Sequence, residues 1–470
     1  MSATATTEKK YLKWYQKLAY GSGDLASNCS YGLVSSFVLL YLTGTLGLDS
    51  AIIGSLMLAS KVLDGISDVI FGTLIDRTHS KLGKARPWML FGQVGVSLCL
   101  FLQFAIPAGS TTMQYIYFFI VYTALNAVFY TANGIAYSSL VALITKNNNE
   151  RVQLGSFRFM FAVVTNIFMG FAVTGMVEKF GSGAAGWRTT ALIFAIVGLV
   201  VNTISCLAVK ELPEEELSGN TSEAAEEGKA VAEEKKHGFA ETAKILVHNK
   251  YYLMILAIYI VYYIMSNLTT GAGVFCATYY WGDGSLLGQF SMMKMFPVII
   301  ALAIAPVLIK KTGSMQKVNF WGYAISSVLG IPMIYFAMQK NISMFLLFMF
   351  IKGIFAGTLS GSLNALIAEA SGYTTRTTGI HMDGMMYSCS SLGVKVGGGI
   401  GTAAVGWLLK LGGFVGTATV QSESAIRMIF NLYITFPFVI GIIITVLLAF
   451  LDVEKANKKW DAEHQKEAQA

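Results

Sequence analysis

Charged residues are scarce in this sequence. Asp, Glu, Lys and Arg make up 13% of its 470 residues, whereas a soluble protein carries about 25%. Hydrophobic residues reach 54%, and the mean hydropathy is +0.57. This composition is typical of a polytopic membrane protein and excludes a set of ordinary soluble domains.

The sequence also lacks the residue clusters of disulfide frameworks and metal sites. Its five cysteines all fall within or beside apolar runs without CxxC spacing, so we interpret them as small buried hydrophobic residues. Its five histidines lie in predicted loops, tails or ends of apolar runs. That distribution indicates neither a metal cluster nor a proton relay.

Catalytic and phosphate-binding signatures are missing as well. We find no Walker-type loop, no His-Glu-x-x-His run and no marked Ser/Lys dyad, so we expect neither an enzyme nor a bound cofactor. The formal net charge is +7, but the basic residues lie in alternate loops, so we expect no nucleic-acid partner. Residues 1–17 are polar and basic with no cleavable apolar core, which predicts no secretory signal peptide.

Long apolar runs, in contrast, are abundant. Runs of roughly 20 residues match the length that a helix needs to cross a bilayer. Six precede a polar stretch and six follow it, near residues 19–44, 51–75, 87–107, 113–144, 155–178, 187–209, 250–280, 287–309, 318–338, 342–369, 379–410 and 426–451. The sequence therefore predicts an all-α polytopic membrane protein with twelve transmembrane helices.

The polar breaks predict the domain organisation. We expect a cytoplasmic N-terminal tail at 1–18, a six-helix bundle at 19–209, a cytoplasmic linker at 210–249, a second six-helix bundle at 250–452 and a cytoplasmic C-terminal tail at 453–470. To the linker, a charged stretch with few aromatic residues, we assign no chemistry. Two matched halves are typical of transporters that move about a site at the membrane midplane.

The basic loops predict the orientation. Lys or Arg residues follow predicted spans two, four and eight, whereas 43–50, 107–113 and 282–287 contain none. The positive-inside rule therefore places both termini and the linker in the cytoplasm.

Charges within the second predicted span give the strongest functional signal. Lys61, Asp64 and Asp68 share one face of a helix at about 100° per residue. Each would cost several kcal/mol if it faced lipid, so this face must look into protein or water. Two carboxylates one turn apart supply hard oxygen ligands for Na⁺ or H⁺. The alternative is a Lys61–Asp64 ion pair that only joins helices, which leaves Asp68 unexplained.

Several spaced motifs resemble a known family. Gly72-x₃-Asp76-Arg77-x₅-Gly83-Lys84 resembles the loop motif of the major facilitator superfamily. Three further runs resemble the glycoside-pentoside-hexuronide:cation symporter family, which includes the melibiose carriers: Lys17-Leu18-Ala19-Tyr20-Gly21-x-Gly23-Asp24, Asp64-x₂-Ser67-Asp68 and Lys84-Ala85-Arg86-Pro87-Trp88. The resemblance implies the major facilitator fold, with two pseudo-symmetric six-helix bundles, and cation-coupled symport of a sugar, glycoside, pentoside or hexuronide by alternating access.

The resemblance also implies a cation site. It places Na⁺, H⁺ or Li⁺ at Asp64 and Asp68, with Thr131 as a neutral oxygen donor. Ser67 stands where melibiose carriers have an asparagine, which keeps an oxygen but shortens its reach. For Lys61 and the loop residues we expect a gating or structural role: Gly72, Asp76, Arg77, Gly83 and Lys84.

The substrate site departs from the melibiose carriers. Asn28 and Gly134 stand where those carriers have the two carboxylates that grip galactosyl hydroxyls, so the galactoside site is not reproduced. Asn28 can still hydrogen-bond a hydroxyl, and Asn133 or Asn364 can share that task. Tyr137 can stack on an apolar sugar face. Asp24 is either a structural group or a binding group of the first span.

The remaining basic residues bear on the charge of the substrate. Arg158 and Lys395 match family residues in spans five and eleven, so the loss of two acids makes the predicted cavity more positive. A hexuronide carboxylate would then bind Arg158 or Lys395, unless Asp24 or Glu369 restores the balance. Lys294 and Lys352, in spans eight and ten, either snorkel, pair internally or line the cavity.

Rival functions share the fold. A proton-coupled major facilitator carrier of a lipid or a drug is the alternative to a sugar symporter. In either case we expect a multi-pass protein of the plasma (inner) membrane. Its expected partners are a small-molecule substrate, a coupling cation and the lipid bilayer. We expect it to act as a monomer.

Overall fold

The computed structural model describes residues 9–213 and 245–467, except His381 and Thr419. Every regular element among these residues is helical, which confirms the all-α prediction. Most of the predicted linker lies outside the described residues.

The helices of the first half follow the predicted spans closely. They are α1 (Trp14–Gly21), α2 (Gly23–Leu40), α3 (Ser50–Asp76), α4 (Arg86–Gln103), α5 (Thr111–Thr123), α6 (Thr131–Ile144), α7 (Asn148–Lys179) and α8 (Gly183–Leu207). A π-helical turn at Tyr41–Thr45 extends α2, and another at Ala124–Tyr130 joins α5 to α6.

The helices of the second half do the same. They are α9 (Lys250–Phe275), α10 (Leu286–Thr312), α11 (Met315–Met338), α12 (Ile342–Thr378), α13 (Asp383–Leu411), α14 (Glu423–Phe430), α15 (Phe436–Phe450) and α16 (Val453–Glu467). π-helical turns at Cys276–Tyr280 and Asn431–Thr435 follow α9 and α14. Helix α16 lies in the segment predicted as a C-terminal tail.

Short polar side chains mark where several long helices begin. The first amides of a helix have no carbonyl partner within it, so a preceding side-chain oxygen accepts their hydrogen bonds. Asp49 does this for α3, Asn147 for α7 and Asn249 for α9. The boundaries of these helices therefore follow from local sequence.

Ten helical segments of the described residues are long and apolar enough to cross a membrane. Helices α3 and α4, the predicted spans two and three, are not among them. Helix α3 has 27 residues but carries Lys61, Asp64 and Asp68, and the 18 residues of α4 include the polar Arg86, Gln93 and Gln103. The finding supports a multi-pass membrane protein, whereas the count of twelve spans stays a prediction.

The chain divides into two compact units. The first comprises Met1–Asn220, Gly282–Gly288 and Gly406–Ala425, and the second comprises Thr221–Trp281, Gln289–Val405 and Ile426–Ala470. The predicted bundles at 19–209 and 250–452 stay a prediction. Two short segments of the second half, 282–288 and 406–425, belong to the first unit in this division.

In the first unit, close packing of α1 and α2 sets the position of polar side chains. A Cβ added at Gly21 would lie 2.5 Å from Phe157 Cβ of α7, and one at Gly23 would lie 2.8 Å from the Tyr137 ring of α6. Only glycine permits this approach. Asp24, the next residue, is thereby held beside α6 and α7.

The second unit has its own apolar core. Helices α9, α11, α12, α13 and α15 contribute buried side chains, including Tyr259, Tyr323, Leu359, Met386 and Ile444. Burial of such side chains contributes roughly 1.5–3 kcal/mol each relative to exposure in water. In the membrane the same side chains act mainly through close packing.

Candidate cation and substrate sites

The residues of the predicted cation site lie on α3 and α6. Thr131 Oγ1 donates a hydrogen bond of 2.6 Å to Asp64 Oδ1. Thr131 is the first residue of α6, directly after a π-helical turn, and its hydroxyl also lies 2.9 Å from the Asn126 carbonyl oxygen. The structure thus brings together two predicted ligands that are 67 residues apart.

Lys61 lies beside the same carboxylate. Its Nζ is 3.5 Å from Asp64 Oδ2, and the two side chains are 18% and 14% exposed. The ammonium also lies 5.9 Å from the centroid of the Tyr31 ring. This geometry fits both interpretations of the sequence, a structural ion pair and a cation site whose charge is partly offset.

Ser67 and Asp68 lie one turn further along α3. Ser67 is buried, and its Oγ donates to the Asp64 carbonyl oxygen at 2.9 Å, which leaves the hydroxyl lone pairs available. Asp68 is half-buried. Two carboxylates and one ammonium leave a net charge of −1, which one monovalent cation would neutralise. Their hard oxygen atoms are of the type that Na⁺ prefers.

A second polar cluster joins α2, α6 and α7. Arg158 Nε lies 2.6 Å from Asp24 Oδ2, and the two side chains are 25% and 18% exposed. The guanidinium carbon is 4.2 Å from the centroid of the Tyr137 ring. Asp24 thus offsets the charge of Arg158, which is one of the two outcomes that the sequence left open.

Tyr137 is enclosed by this cluster. Its ring centroid is 4.7 Å from that of Tyr20, its hydroxyl donates to the Tyr20 carbonyl oxygen at 2.8 Å, and it is only 2% exposed. Little of the ring is left for a sugar to stack on. In this structure Tyr137 instead positions Arg158 through a cation–π contact.

Asn28 has a partner that the sequence analysis missed. Asn28 Nδ2 donates to the Asp24 carbonyl oxygen at 2.7 Å, and its Oδ1 accepts a 2.9 Å hydrogen bond from Asn166 Nδ2. Asn166 is a polar residue within the apolar span of α7, eight residues beyond Arg158. That spacing places Asn166 and Arg158 close to one face of a helix and was the available signal.

Asn133 lies elsewhere in the first unit. It is 3% exposed in the interface of α4 and α6, where its Nδ2 donates to Gln93 Oε1 at 2.7 Å. Its own Oδ1 has no hydrogen-bond partner among the described residues. The structure does not bring it into contact with Asn28, the residue with which it was predicted to act.

Lys395 belongs to α13 in the second unit and is half-buried. On either side of it α13 packs tightly on α9, because a Cβ at Gly393 would lie 2.4 Å from Tyr259 Cβ and one at Gly397 would lie 2.4 Å from the Ile260 carbonyl oxygen. Its predicted substrate role stays a prediction. Glu369, the other acid considered for charge balance, accepts a 2.9 Å hydrogen bond from Asn457 Nδ2 of α16.

The loop motif is held by a residue that the sequence analysis did not single out. The carboxylate of Glu211 accepts hydrogen bonds from the backbone amides of Lys84, Ala85 and Arg86 at 2.7, 2.9 and 3.1 Å. Gly83 has φ +111°, and a Cβ there would lie 2.3 Å from Glu211 Cδ. Glu211, at the start of the segment predicted as a linker, therefore caps α4.

The other motif residues are less constrained. Asp76 and Arg77, at the end of α3, are exposed, and a Cβ at Gly72 would meet no atom of the described residues within 4 Å. Their predicted gating role stays a prediction.

The comparisons with known proteins agree with this architecture. A model of the MFS/sugar transport protein family matches residues 19–455, and the chain belongs to that family. It is therefore a multi-pass membrane transporter of the major facilitator superfamily and not an enzyme, as the motifs predicted.

Two curated relatives match nearly the whole chain. The isoprimeverose transporter of Lactiplantibacillus pentosus is 26% identical over 98% of this chain and 93% of its own length. The putative glycoside/cation symporter YagG of Escherichia coli (strain K12) is 24% identical over 94% of this chain and 92% of its own length.

A solved structure shows the same fold. The crystal structure of a D-xylose-proton symporter has a TM-score of 0.64 and 12% sequence identity, and the match covers 94% of this chain and 98% of that chain. At this identity the likeness establishes the fold alone.

Proposed function

We propose that the protein takes up a sugar or glycoside together with a monovalent cation by alternating access. The single observation that carries the proposal is the contact of Thr131 and Lys61 with Asp64 between helices α3 and α6 of the first unit. With Ser67 and Asp68 on the same helix, the group has a net charge of −1 and four oxygen-bearing side chains. A site of this kind is suited to Na⁺, Li⁺ or H⁺.

The names of the relatives support the same class of substrate. One is described as a transporter of isoprimeverose and another as a putative glycoside/cation symporter. The polar cluster of the first unit fits hydroxyl-bearing molecules, because Asp24 supplies acceptors, Arg158 supplies donors and the Asn28 amide supplies both. Lipids and hydrophobic drugs offer fewer hydrogen-bonding groups to such side chains, so a carrier of these substrates is not favoured.

The Asp24–Arg158 pair changes the argument about substrate charge. The prediction of a positively charged substrate site depended on the charges of Arg158 and Lys395. The structure places Asp24 Oδ2 2.6 Å from Arg158 Nε, so the charge of Arg158 is offset. A carboxylate on the substrate would have to compete with Asp24 for the guanidinium. From these residues alone, a neutral glycoside fits the first unit at least as well as a hexuronide.

Reciprocal binding tests the proposed function. If the cation tightens sugar binding by some factor, the sugar must tighten cation binding by the same factor. Thermal shifts of the purified protein with glycosides, pentosides and hexuronides, with and without Na⁺, identify a ligand, because ligands that bind the native state raise its apparent stability. Titrating that ligand and the cation against each other measures the factor. Affinities that are independent of each other would contradict symport.

A further inference from the structure

The second unit contains a cavity that the proposed function does not yet use. Its volume is about 190 Å³, and helices α9 to α12 and α15 line it. One water molecule needs roughly 10–15 Å³ of such space, so the cavity admits a small organic group. Its polar lining includes Tyr262, Thr269, Lys294, Lys352 and Ser360.

Two of the lining side chains are lysines. Lys294 Nζ donates to the hydroxyls of Thr269 and Thr270 at 3.3 and 3.1 Å. Lys352 is half-buried, and among the described residues its ammonium has neither a hydrogen-bond partner nor an ion-pair partner.

No acidic residue is among the side chains that line this cavity in the described part of the chain. The two ammonium groups therefore leave a charge of +2 within a membrane-spanning bundle. An unpaired charge in such a place is costly, and it is retained where it binds an ion or a substrate. The first unit differs in this respect, because its cations have acidic partners: Lys61 is paired with Asp64, and Arg158 is paired with Asp24.

Most of the remaining lining is apolar, with methionine and aromatic side chains, and its polar side chains other than the lysines carry hydroxyls. The hydroxyls of Tyr262 and Ser360 form a hydrogen bond of 2.7 Å with each other. Pro297 of α10 has no backbone N–H, so the Met293 carbonyl, four residues earlier, lacks its usual helical donor. Met293 is also among the lining residues. The two cations thus lie among a few hydroxyls in a cavity whose surface is otherwise mainly apolar.

The lysines are also held in place by close packing. A Cβ at Gly353, next to Lys352, would lie 2.8 Å from Pro297 Cβ, and one at Gly357 would lie 2.7 Å from Ala301 Cβ. Helices α10 and α12 therefore approach closely along the segments that carry Lys294 and Lys352. Such small-residue contacts restrict how far the helices can separate.

We propose that this cavity binds the carboxylate of a sugar acid, with Lys352 as the primary contact and Lys294 as a second cation. The inference rests on the proposed sugar transport and narrows its substrate class. It assigns substrate charge recognition to residues other than Arg158, whose charge Asp24 offsets. A compact ammonium binds a carboxylate as a point charge, so the uncharged analogue of the same sugar should bind less tightly.

The test is a thermal-shift titration of the purified protein with methyl glucuronide, methyl glucoside and choline chloride. The glucuronide should raise the melting temperature at a concentration at least about tenfold lower than the glucoside does. A tenfold difference in affinity corresponds to one charge-assisted contact. This preference should disappear in Lys352→Met and weaken in Lys294→Met. It should persist in Lys352→Arg, which keeps the charge, and in Lys317→Met, an exposed lysine of the same unit.

Several outcomes would overturn the proposal. If the parent protein binds the glucuronide and the glucoside equally well, the proposal is wrong. This result does not depend on whether the lysine variants fold. The proposal would also be wrong if the preference for the glucuronide persists in both Lys352→Met and Lys294→Met. It would likewise be wrong if only Lys395→Gln abolishes that preference. A full shift with choline chloride alone would make the cavity a site for inorganic anions. Because binding is measured without a gradient, these results are independent of whether uptake is cation-coupled.

Discussion

Arg158 of α7 forms an ion pair of 2.6 Å with Asp24 of α2, and its guanidinium lies over the ring of Tyr137 in α6. Three helices of the first unit thus meet at one cation. Because the pair is only partly exposed, at 25% and 18%, removing either member leaves a charge without its partner in a poorly hydrated place.

A double-mutant cycle tests this ion pair. We expect Asp24→Asn and Arg158→Gln each to destabilise the protein by about 1–3 kcal/mol, since each leaves one charged group unpaired. The double variant should be destabilised by less than the sum, because it removes both charges. The melting temperature in detergent measures this. Strictly additive effects would show that the contact is not energetically coupled.

Thr131 should tune cation affinity. Thr131→Val keeps the shape of the side chain but removes the hydroxyl that donates to Asp64, so the cation concentration for half-maximal uptake should rise by about tenfold. Thr131→Ser keeps the hydroxyl and serves as the control. If valine and serine behave alike, Thr131 is not a ligand.

Lys61 discriminates between the two interpretations of the α3 charges. Two unit charges about 4 Å apart interact by about 4 kcal/mol at an effective dielectric constant of 20, so removing the ammonium should favour a cation at Asp64. We therefore expect Lys61→Met to lower the half-maximal cation concentration by at least about tenfold. Lys61→Arg should resemble the parent. A loss of stability with no change in cation dependence would instead indicate a purely structural ion pair.

Glu211 should be a stability determinant. Glu211→Ala removes three hydrogen bonds to backbone amides at the start of α4, and we expect a loss of about 1–3 kcal/mol. Glu211→Gln keeps one acceptor oxygen and should lie between the alanine variant and the parent. Glu178→Ala, at an exposed position of α7, is the control. An unchanged melting temperature in Glu211→Ala would contradict the capping role.

The spans and the internal geometry of α3 were predictable from sequence. Apolar runs of bilayer length set the helices, and a three-residue spacing was enough to place Lys61 beside Asp64. These features depend on local periodicity alone. The same holds for the caps at Asp49 and Asn147, whose side chains bond to amides two or three residues away.

Partners on different helices were not predictable in the same way. Asn28 and Asn166 are 138 residues apart, and Glu211 is more than 120 residues from the amides that it caps. Such contacts depend on how each helix is rotated and packed, which hydrophobic periodicity does not specify. The π-helical turn before Thr131 likewise changes the direction of that side chain in a way that composition does not reveal.

Gradient-driven uptake tests cation-coupled symport most directly. Proteoliposomes that contain the parent protein should accumulate a bound sugar above its external concentration when an inward Na⁺ or H⁺ gradient is imposed. Asp64→Asn and Asp68→Asn should abolish this accumulation but retain part of the downhill exchange, because each removes charge that offsets cation desolvation. Full concentrative uptake by both variants would contradict the account.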